Sequence, residues 1–276
     1  MAFAKQKTNY FNIFETTQLE ASKIIALLKG HSVGYIIRHY VVQSDLQEII
    51  KNFWENSFVK KREDNVPAYN LGAFHYEKQL DTYFDEAETY KGQLKTLFKN
   101  TNDFHQDLMS KLEKILNQNG FNLRLAEHKK RLANEYVIRA CTSMNDKVVI
   151  KHHEDGAQLY DPDQCSFEIQ DIQDKPLIAV NICLENNIDG SLYIWEAQPD
   201  ETVREHLNLQ YVGYPYPQEY LDGYKKLVIS IEAGDLYFFN AKHVHAVIAN
   251  ENNKNYRTTL SFFMGAKDSN TVIYWS

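Results

Sequence analysis

The chain has 276 residues, 43% of them hydrophobic, and a formal net charge of −7 at pH 7. This length and composition allow one large buried core, so we expect one integrated domain rather than two independent ones. The acidic balance, without a stripe rich in Lys and Arg, argues against a nucleic-acid partner. No segment approaches the roughly 20 apolar residues that a membrane span requires, so we expect no membrane partner.

Cysteine usage indicates a reducing compartment. The three cysteines, Cys141, Cys165 and Cys183, are widely spaced and form no Cys-x-x-Cys pair. This pattern indicates neither a disulfide framework nor a zinc site built from thiolates. Residues 1–9 contain no apolar core of signal-peptide length, so we expect a cytoplasmic protein.

Residues 1–135 are predicted to form a mainly helical support region. Thr16 precedes an apolar pattern that ends before Gly30, as expected for a capped helix with a glycine stop. Residues 33–42 are rich in β-branched and aromatic side chains and predict a strand. Further helices are predicted over residues 44–53, 83–97 and 104–116, with an irregular aromatic segment at 66–76.

Residues 136–276 are predicted to form a β core. Apolar and alternating runs separated by turn residues predict strands at 136–141, 147–153, 177–184, 192–195, 227–231, 236–239, 246–248, 258–263 and 272–275. A strand-rich, antiparallel succession of this kind is typical of a double-stranded β-helix, or jelly roll. The predicted fold class is therefore a mostly β core with α support from N-terminal helices.

An insertion at about residues 198–225 interrupts the predicted strands. It is rich in tyrosine and proline, and a loop of this length inside a compact domain is usually a lid or a binding loop. One hypothesis is that it closes over a substrate, and the alternative is that its tyrosines cover the barrel surface. The candidate substrate-binding residues are Tyr211 and Tyr214 in the insertion and Tyr69 and His75 in the aromatic segment.

The segment 151–155 reads Lys-His-His-Glu-Asp and follows an apolar run that predicts a strand. Side chains alternate along a strand, so a histidine and a carboxylate two residues apart lie on the same face. Two pairs fit this rule, His153 with Asp155 and His152 with Glu154, and alternation does not choose between them. Two imidazoles and one carboxylate on one face of an octahedral metal leave three positions open, as in non-heme Fe(II) oxygenases.

A second histidine and an arginine follow in the last third of the chain. After a Gly-Asp turn at residues 234–235 comes His245 among apolar residues, although His243 has the same parity on the strand. Arg257 and Thr259 share one face of the next predicted strand, so a guanidinium and a hydroxyl can grip one carboxylate together. A buried guanidinium needs an acidic partner, and a dicarboxylic keto acid supplies one.

This ordered set resembles the 2-oxoglutarate-dependent Fe(II) oxygenase superfamily, whose pattern is His-x-Asp/Glu, a distant His after a Gly-Asp turn, and an Arg shortly after it. The resemblance covers residues 148–264 and is most similar to freestanding hydroxylases and halogenases that act on small metabolites such as amino acids. It implies that His153, Asp155 and His245 bind iron. It also implies that Arg257 binds the distal carboxylate of 2-oxoglutarate, with Thr259 at the family's hydroxyl position.

The resemblance further implies the reaction. Its expected cofactors are Fe(II), 2-oxoglutarate as co-substrate and O2, and the expected activity is hydroxylation of an unactivated C–H bond of a small molecule with release of succinate and CO2. Relatives that halogenate generally have Gly or Ala at the position of Asp155, which favours hydroxylation here. Desaturation, cyclisation or halogenation is the alternative outcome. Arg139, on the strand before the metal pair, is a candidate partner for an anionic substrate, with a salt-bridged structural arginine as the alternative.

A hypothesis from another class is a cupin-like or non-catalytic metal-binding barrel. The segment 243–245 reads His-Val-His, which resembles the cupin His-x-His pattern. The glutamate expected three to five residues later is absent, because residues 248–250 read Ile-Ala-Asn. The oxygenase hypothesis is therefore favoured, while the sequence does not specify the substrate or the oligomeric state.

Overall fold

The computed structural model describes residues 10–62, 68–142, 147–250 and 255–276. Residues 1–9, where no signal peptide is predicted, and residues 66–67 of the aromatic segment lie outside this part of the chain. The helices are α1 (Ala21–Leu28), α2 (Gln43–Glu55), α3 (Leu80–Thr96), α4 (Phe104–Gln118), α5 (Glu201–His206) and α6 (Gln218–Leu221). Three 3-10 helices are Ala157–Tyr160, Pro162–Gln164 and Glu168–Ile172.

The strands outnumber the helices, so the chain is mostly β with helices, as predicted. They are β1 (Ile13–Thr16), β2 (Gly34–Ile37), β3 (Lys60–Lys61), β4 (Ala68–Leu71), β5 (Asn122–Leu125), β6 (Glu127–His128), β7 (Arg131–Leu132), β8 (Val137–Thr142), β9 (Val148–His153), β10 (Ile178–Asn186), β11 (Gly190–Trp195), β12 (Lys226–Ser230), β13 (Leu236–Asn240), β14 (His245–Ala249), β15 (Tyr256–Ala266) and β16 (Thr271–Trp275).

The major sheet has ten strands. Its main path runs β1-β2-β13-β10-β15-β8-β4-β3, with β16 added beside β15 and β5 beside β16. Side chains along β10 alternate between the two faces of the sheet. Val180 and Ile182 are buried on one face, and Ala179 and Asn181 lie on the other. The first face packs against helices that include α2, and the second lines a cavity.

The minor sheet has four strands in the order β12-β11-β14-β9. All of its neighbours are antiparallel, and the register places His245 opposite His153. The cavity has lining residues from both sheets, so it lies between them. The sheet register alone thus brings two histidines that are distant in sequence to adjacent positions on the cavity wall.

The N-terminal region supplies strands as well as helices. β2 pairs with β13, and β4, inside the segment predicted as irregular, pairs with β8. The first helix begins at Ala21 rather than at Thr16, because Thr16 ends β1 and its hydroxyl lies 2.9 Å from the Tyr35 hydroxyl. The major sheet is therefore widened on both sides by residues of the predicted support region.

None of the described helices combines the length and the apolar character that crossing a bilayer requires. The insertion at 198–225 contains α5 and α6 and forms a small apolar cluster of its own with the end of β11. Within it, Tyr216 is 2% exposed whereas Tyr211 is 48% exposed. Part of the insertion is thus firmly packed against the minor sheet.

Candidate active site

Two histidines and one aspartate meet on the cavity wall. His153 ends β9, Asp155 follows two residues later, and His245 begins β14. One possible ligand atom of each lies within 4.8 Å of those of the other two. The two imidazole centroids are 4.0 Å apart, and His245 Nε2 lies 3.5 Å from a carboxylate oxygen of Asp155. These three side chains form the only group of this kind among residues 10–62, 68–142, 147–250 and 255–276.

Backbone carbonyls orient both imidazoles. His153 Nδ1 lies 2.7 Å from the Lys151 carbonyl, and His245 Nδ1 lies 2.9 Å from the His243 carbonyl. Because a carbonyl only accepts hydrogen bonds, each Nδ1 carries the proton and each Nε2 keeps its lone pair. A hydrogen bond from Nδ1 to a carbonyl fixes the ring and its tautomer, and so prepares Nε2 to bind a metal.

Burial opposes charge on all three groups. It raises the pKa of Asp155 to about 7, an effect that the positive charge of Arg139 counteracts. Burial also lowers the pKa of His153 to about 4 and that of His245 well below its ordinary value. Two neutral imidazoles and the carboxyl group of Asp155 therefore face one another, and a metal cation in their midst would favour the carboxylate form, so this donor set fits Fe(II).

The side chains of the alternative pair, His152 and Glu154, do not point into the cavity. The His152 ring packs edge-on against Trp195 at a centroid distance of 5.0 Å, on the other side of the strand. Glu154 is 1% exposed and accepts hydrogen bonds from the Ala157 amide, so it is buried and bonded outside the cluster. Of the two pairs that alternation allows, His153 and Asp155 are the one that lines the cavity.

His243 is directed away from the cluster. Its Nδ1 donates to the Trp195 carbonyl at 2.9 Å, and its Nε2 lies 2.7 Å from the Gln198 amide nitrogen. Both ring nitrogens are therefore occupied by other partners. The parity that His243 shares with His245 does not bring it into the cavity, because His243 precedes the start of β14.

A buried arginine lies in the same cavity. Arg257 is 4% exposed, donates from Nη2 to the Tyr237 hydroxyl at 2.7 Å, and has an Nε without a partner in the described chain. Thr259, two residues along β15, also lines the cavity and accepts from the Ser261 hydroxyl at 3.0 Å. A buried guanidinium that protein groups satisfy only in part fits the carboxylate of a small ligand.

The cavity has a volume of about 480 Å³ and contains three of the five predicted substrate residues, Arg139, His75 and Tyr214. Arg139 lies opposite Thr259 in the sheet, and its Nε has no partner in the described chain. The His75 ring is held by Gln164 at 3.0 Å, and burial lowers its pKa to about 4. The Tyr214 ring lies 6.2 Å from that of His153.

Two predicted substrate residues lie elsewhere. Tyr69 points away from the cavity and packs against Trp54 and Tyr256, with ring centroids 5.3 and 6.1 Å away. Tyr211 is largely exposed and does not line the cavity. Both predictions followed from aromatic composition alone, and an aromatic loop residue packs on a surface as readily as in a pocket.

Several lining residues were not predicted. Tyr237, the partner of Arg257, shares the cavity with Asn181 and Ser261 on neighbouring strands, and Arg62 and Glu77 line it as well. Alternation along β10 and β15 would have indicated Asn181 and Ser261. The pairing of Tyr237 with Arg257 depends on which strands are neighbours, and that order has no local signal in the sequence.

The chain is similar to known proteins over almost its whole length. Residues 9–276 match the family described as carrier-protein-independent halogenase WelO5. The chain is 30% identical over 284 residues to L-isoleucine 3(1)-dioxygenase of Pantoea ananatis (strain AJ13355), covering 98% of this chain and 94% of that protein.

Solved structures show the same fold. An N-substituted L-amino acid dioxygenase from Burkholderia ambifaria AMMD superposes with a TM-score of 0.58 at 13% identity, covering 93% of this chain and 91% of that one. Its complex with alpha-KG gives a TM-score of 0.54 at 14% identity and the same coverage, 93% and 91%. The predicted superfamily is confirmed. The chain belongs to the WelO5 halogenase family and is a 2-oxoglutarate-dependent non-heme iron oxygenase.

Proposed function

We propose that this enzyme hydroxylates an unactivated C–H bond of a small aliphatic amino acid and releases succinate and CO2. The observation that carries the proposal is the presence of two separate binding features in one cavity. The first is the cluster of two imidazoles and a carboxylate, and the second is the buried, incompletely satisfied Arg257. A metal site alone does not indicate a keto-acid co-substrate, whereas the two features together do.

His153, Asp155 and His245 hold the Fe(II). The carbonyl partners of both Nδ1 atoms keep each Nε2 directed at the metal position, so little reorganisation accompanies binding. Bound Fe(II), together with 2-oxoglutarate, supplies the chemistry that activates O2 toward a C–H bond. The protein contributes the ligand geometry, the placement of both organic molecules and the exclusion of water.

Arg257 binds the distal carboxylate of 2-oxoglutarate, assisted by Thr259. Charge-assisted hydrogen bonds from a guanidinium are among the strongest that a buried site offers, and Nε of Arg257 is available for one. The Tyr237 hydroxyl fixes the guanidinium from the other side, since it accepts from Nη2 at 2.7 Å. The guanidinium plane is therefore set before the co-substrate arrives.

Asp155 favours hydroxylation over halogenation. A carboxylate occupies the position that halogenating relatives leave open for chloride with Gly or Ala. The Asp155 side chain is 13% exposed and lies against His245, so it belongs to the cluster rather than to the surface. Arg139 supports the ionised form of this carboxylate by its positive charge. Desaturation or cyclisation by the same site depends on how the substrate is placed.

Arg139 binds the carboxylate of the amino-acid substrate. Its positive charge lies close enough to Asp155 to counteract part of the rise in the pKa of that carboxyl group that burial causes, and its Nε has no partner in the described chain. Phe74, Val212 and Tyr214 line the same cavity and offer an apolar wall to an aliphatic side chain. The relative from Pantoea ananatis is named for L-isoleucine, a substrate of this kind.

The proposal includes the architecture of the barrel, the kind of partner and the cellular compartment. The two facing sheets form a jelly roll, with the α1–α4 region as its support and residues 198–225 as a lid. The partner is a small molecule and not a nucleic acid. The cytosol is the proposed compartment, because all three cysteines are free and a reducing environment preserves Fe(II).

A panel of amino acids tests the proposal. Each compound is incubated with enzyme, Fe(II), 2-oxoglutarate and O2, and succinate and product mass are measured. We expect succinate together with a mass gain of one oxygen for an aliphatic amino acid such as L-isoleucine. A product that gains one chlorine when chloride is present would show that the enzyme halogenates this substrate instead of hydroxylating it. No succinate above that of an Arg257→Met control, across the whole panel, would contradict the proposal.

A further inference from the structure

Glu154 lies between two cluster residues but points away from them. Its carboxylate accepts from the Ala157 amide at 3.1 and 3.0 Å and from the Tyr216 hydroxyl at 3.4 Å. Arg204 Nη1 lies 3.6 Å from the same carboxylate, and the two side chains are 7% and 1% exposed. A carboxylate and a guanidinium are thus buried together directly behind the metal cluster.

Two of these partners belong to the insertion at 198–225. Arg204 lies on α5, where Nη1 also donates to the Pro199 carbonyl at 3.0 Å and the guanidinium lies 4.6 Å from the centre of the Tyr160 ring. Tyr216 is buried in the apolar cluster of the insertion. Glu154 therefore connects the metal-binding segment with two separated points of the insertion.

The backbone makes the same connection. The Glu154 amide donates to the Gly213 carbonyl at 3.0 Å, and the Tyr216 amide donates to the His152 carbonyl at 2.9 Å. Gly213 has a φ of +63°, and a Cβ built on it would lie 2.4 Å from the Glu154 carbonyl oxygen. The close approach of the two segments at this point requires glycine.

The residues between these attachment points form part of the cavity wall. Tyr214 and Pro215 line the cavity, and Val212 lies just before the first attachment. The Tyr214 ring faces the His153 ring at a centroid distance of 6.2 Å. The position of this wall relative to the metal cluster is therefore set by how firmly the insertion is attached to the segment 152–154.

We propose that Glu154 and Arg204 are positioning residues that clamp the insertion onto the metal-binding segment and so place the substrate wall over the iron site. This inference rests on the proposed function of the same cavity. The clamp keeps the wall formed by Val212, Tyr214 and Pro215 against the bound substrate. With the clamp open, 2-oxoglutarate still binds at Arg257 on β15, but the substrate is held loosely and water enters.

Amide hydrogen exchange on the whole protein tests the clamp without any turnover. The variants are Arg204→Met and the double variant Glu154→Gln with Arg204→Met, which removes both charges and leaves no unpaired buried ion. We expect exchange in residues 198–225 and at the Glu154 amide to become at least about tenfold faster. The control is Arg124→Met, which breaks the Arg124–Glu168 ion pair, a pair that includes no residue of the insertion.

The second readout is turnover, measured as product per succinate and as KM for each of the two organic molecules. A purely structural role would not change the values for the amino acid selectively. In Arg204→Met we expect less oxidised amino acid per succinate formed and a KM for the amino acid that rises about tenfold, with KM for 2-oxoglutarate near that of the parent. Arg204→Lys keeps the charge and restores part of the coupling. If the amino-acid panel fails for the parent enzyme, the proposed function fails while the exchange result still decides the clamp.

The clamp is overturned if either charge-removing variant folds and shows parental exchange in 198–225. It is also overturned if exchange rises equally in Arg124→Met, because the effect would then be general destabilisation. If neither charge-removing variant folds, Arg204→Lys decides. This variant keeps the charge but loses the planar contact with Tyr160, so we expect a smaller rise in exchange in 198–225 than the rise of about tenfold in Arg204→Met, and parental exchange would overturn the clamp.

Discussion

The two ends of the cavity are built by different kinds of structure. Arg257 and Thr259 lie on β15, a long strand paired on both sides, so register fixes their positions. Another part of the cavity wall, formed by Val212 and Tyr214, lies on the insertion and is held by a few specific contacts. The difference suggests that co-substrate binding depends on the paired strands, whereas the fit of the substrate also depends on the insertion.

The largest effect is expected at the metal cluster. Asp155→Ala removes the single carboxylate of the cluster, so we expect hydroxylation to fall to background. Loss of a residue that hydrogen-bonds to a metal ligand already lowers metal affinity or activity by about 10–100-fold, and loss of a ligand itself has a larger effect. Succinate release at graded Fe(II) concentrations measures the effect. Activity that returns to the parental level at any Fe(II) concentration would show that Asp155 is dispensable.

Arg257→Met comes next and probes the strand-built end. We expect KM for 2-oxoglutarate to rise by about 10–100-fold, because a charge-assisted hydrogen bond contributes about 1.5–3 kcal/mol. KM for the amino acid should change far less. Arg257→Lys keeps the charge but lacks the planar fork, and should recover only part of the affinity. An equal loss for both ligands would show that the two ends are not independent.

Arg139→Met tests whether Arg139 binds the amino acid or the 2-oxoglutarate. We expect KM for the amino acid to rise about tenfold, the effect of losing one hydrogen bond to a charged group. A larger rise in KM for 2-oxoglutarate would assign Arg139 to the co-substrate instead. The matched substrate for this comparison is the amino-acid amide, which lacks the carboxylate. Arg139→Met should lower activity on the acid by a larger factor than the weak activity on the amide.

Gly213→Ala is expected to have the smallest effect and tests the insertion end. The added Cβ meets the Glu154 carbonyl at 2.4 Å on a backbone with a φ of +63°. We expect the insertion to shift, with a loss of about 1–3 kcal/mol in the free energy of unfolding. Gly223→Ala is the matched control, since its φ is +91° and its Cβ meets nothing within 4 Å.

The two glycine variants separate backbone strain from the contact with Glu154. Thermal unfolding and the ratio of oxidised product to succinate are measured for both. Backbone strain alone lowers stability in both variants, whereas displacement of the wall lowers the product ratio in Gly213→Ala only. Equal ratios of product to succinate in the two variants would show that the contact of Gly213 with Glu154 does not affect substrate placement.

The strand-built end could be predicted from the sequence because alternation along a strand is a local rule. Arg257 and Thr259 were placed on one face by their spacing, and they share the cavity. Local spacing did not choose between the His153–Asp155 and His152–Glu154 pairs, because both obey the same alternation. The family resemblance made that choice, and the position of Glu154 behind the strand agrees with it.

The insertion end could not be predicted in the same way. The contacts of Glu154 with Arg204 and Tyr216 join segments that are distant in sequence, and no periodicity links them. Tyr214 and Tyr211 look alike in the sequence, yet one lines the cavity and the other is exposed. Tyr214 directly follows Gly213, whose carbonyl accepts from the Glu154 amide, and this attachment is a feature of tertiary structure.

A crystal structure of the enzyme prepared without oxygen, with Fe(II) and 2-oxoglutarate, tests the central claim most directly. Anomalous scattering at the iron edge locates the metal independently of the protein atoms. We predict one iron bound by Nε2 of His153, Nε2 of His245 and the Asp155 carboxylate, with the far carboxylate of 2-oxoglutarate on Arg257. Iron bound elsewhere, or a co-substrate carboxylate away from Arg257, would contradict this account.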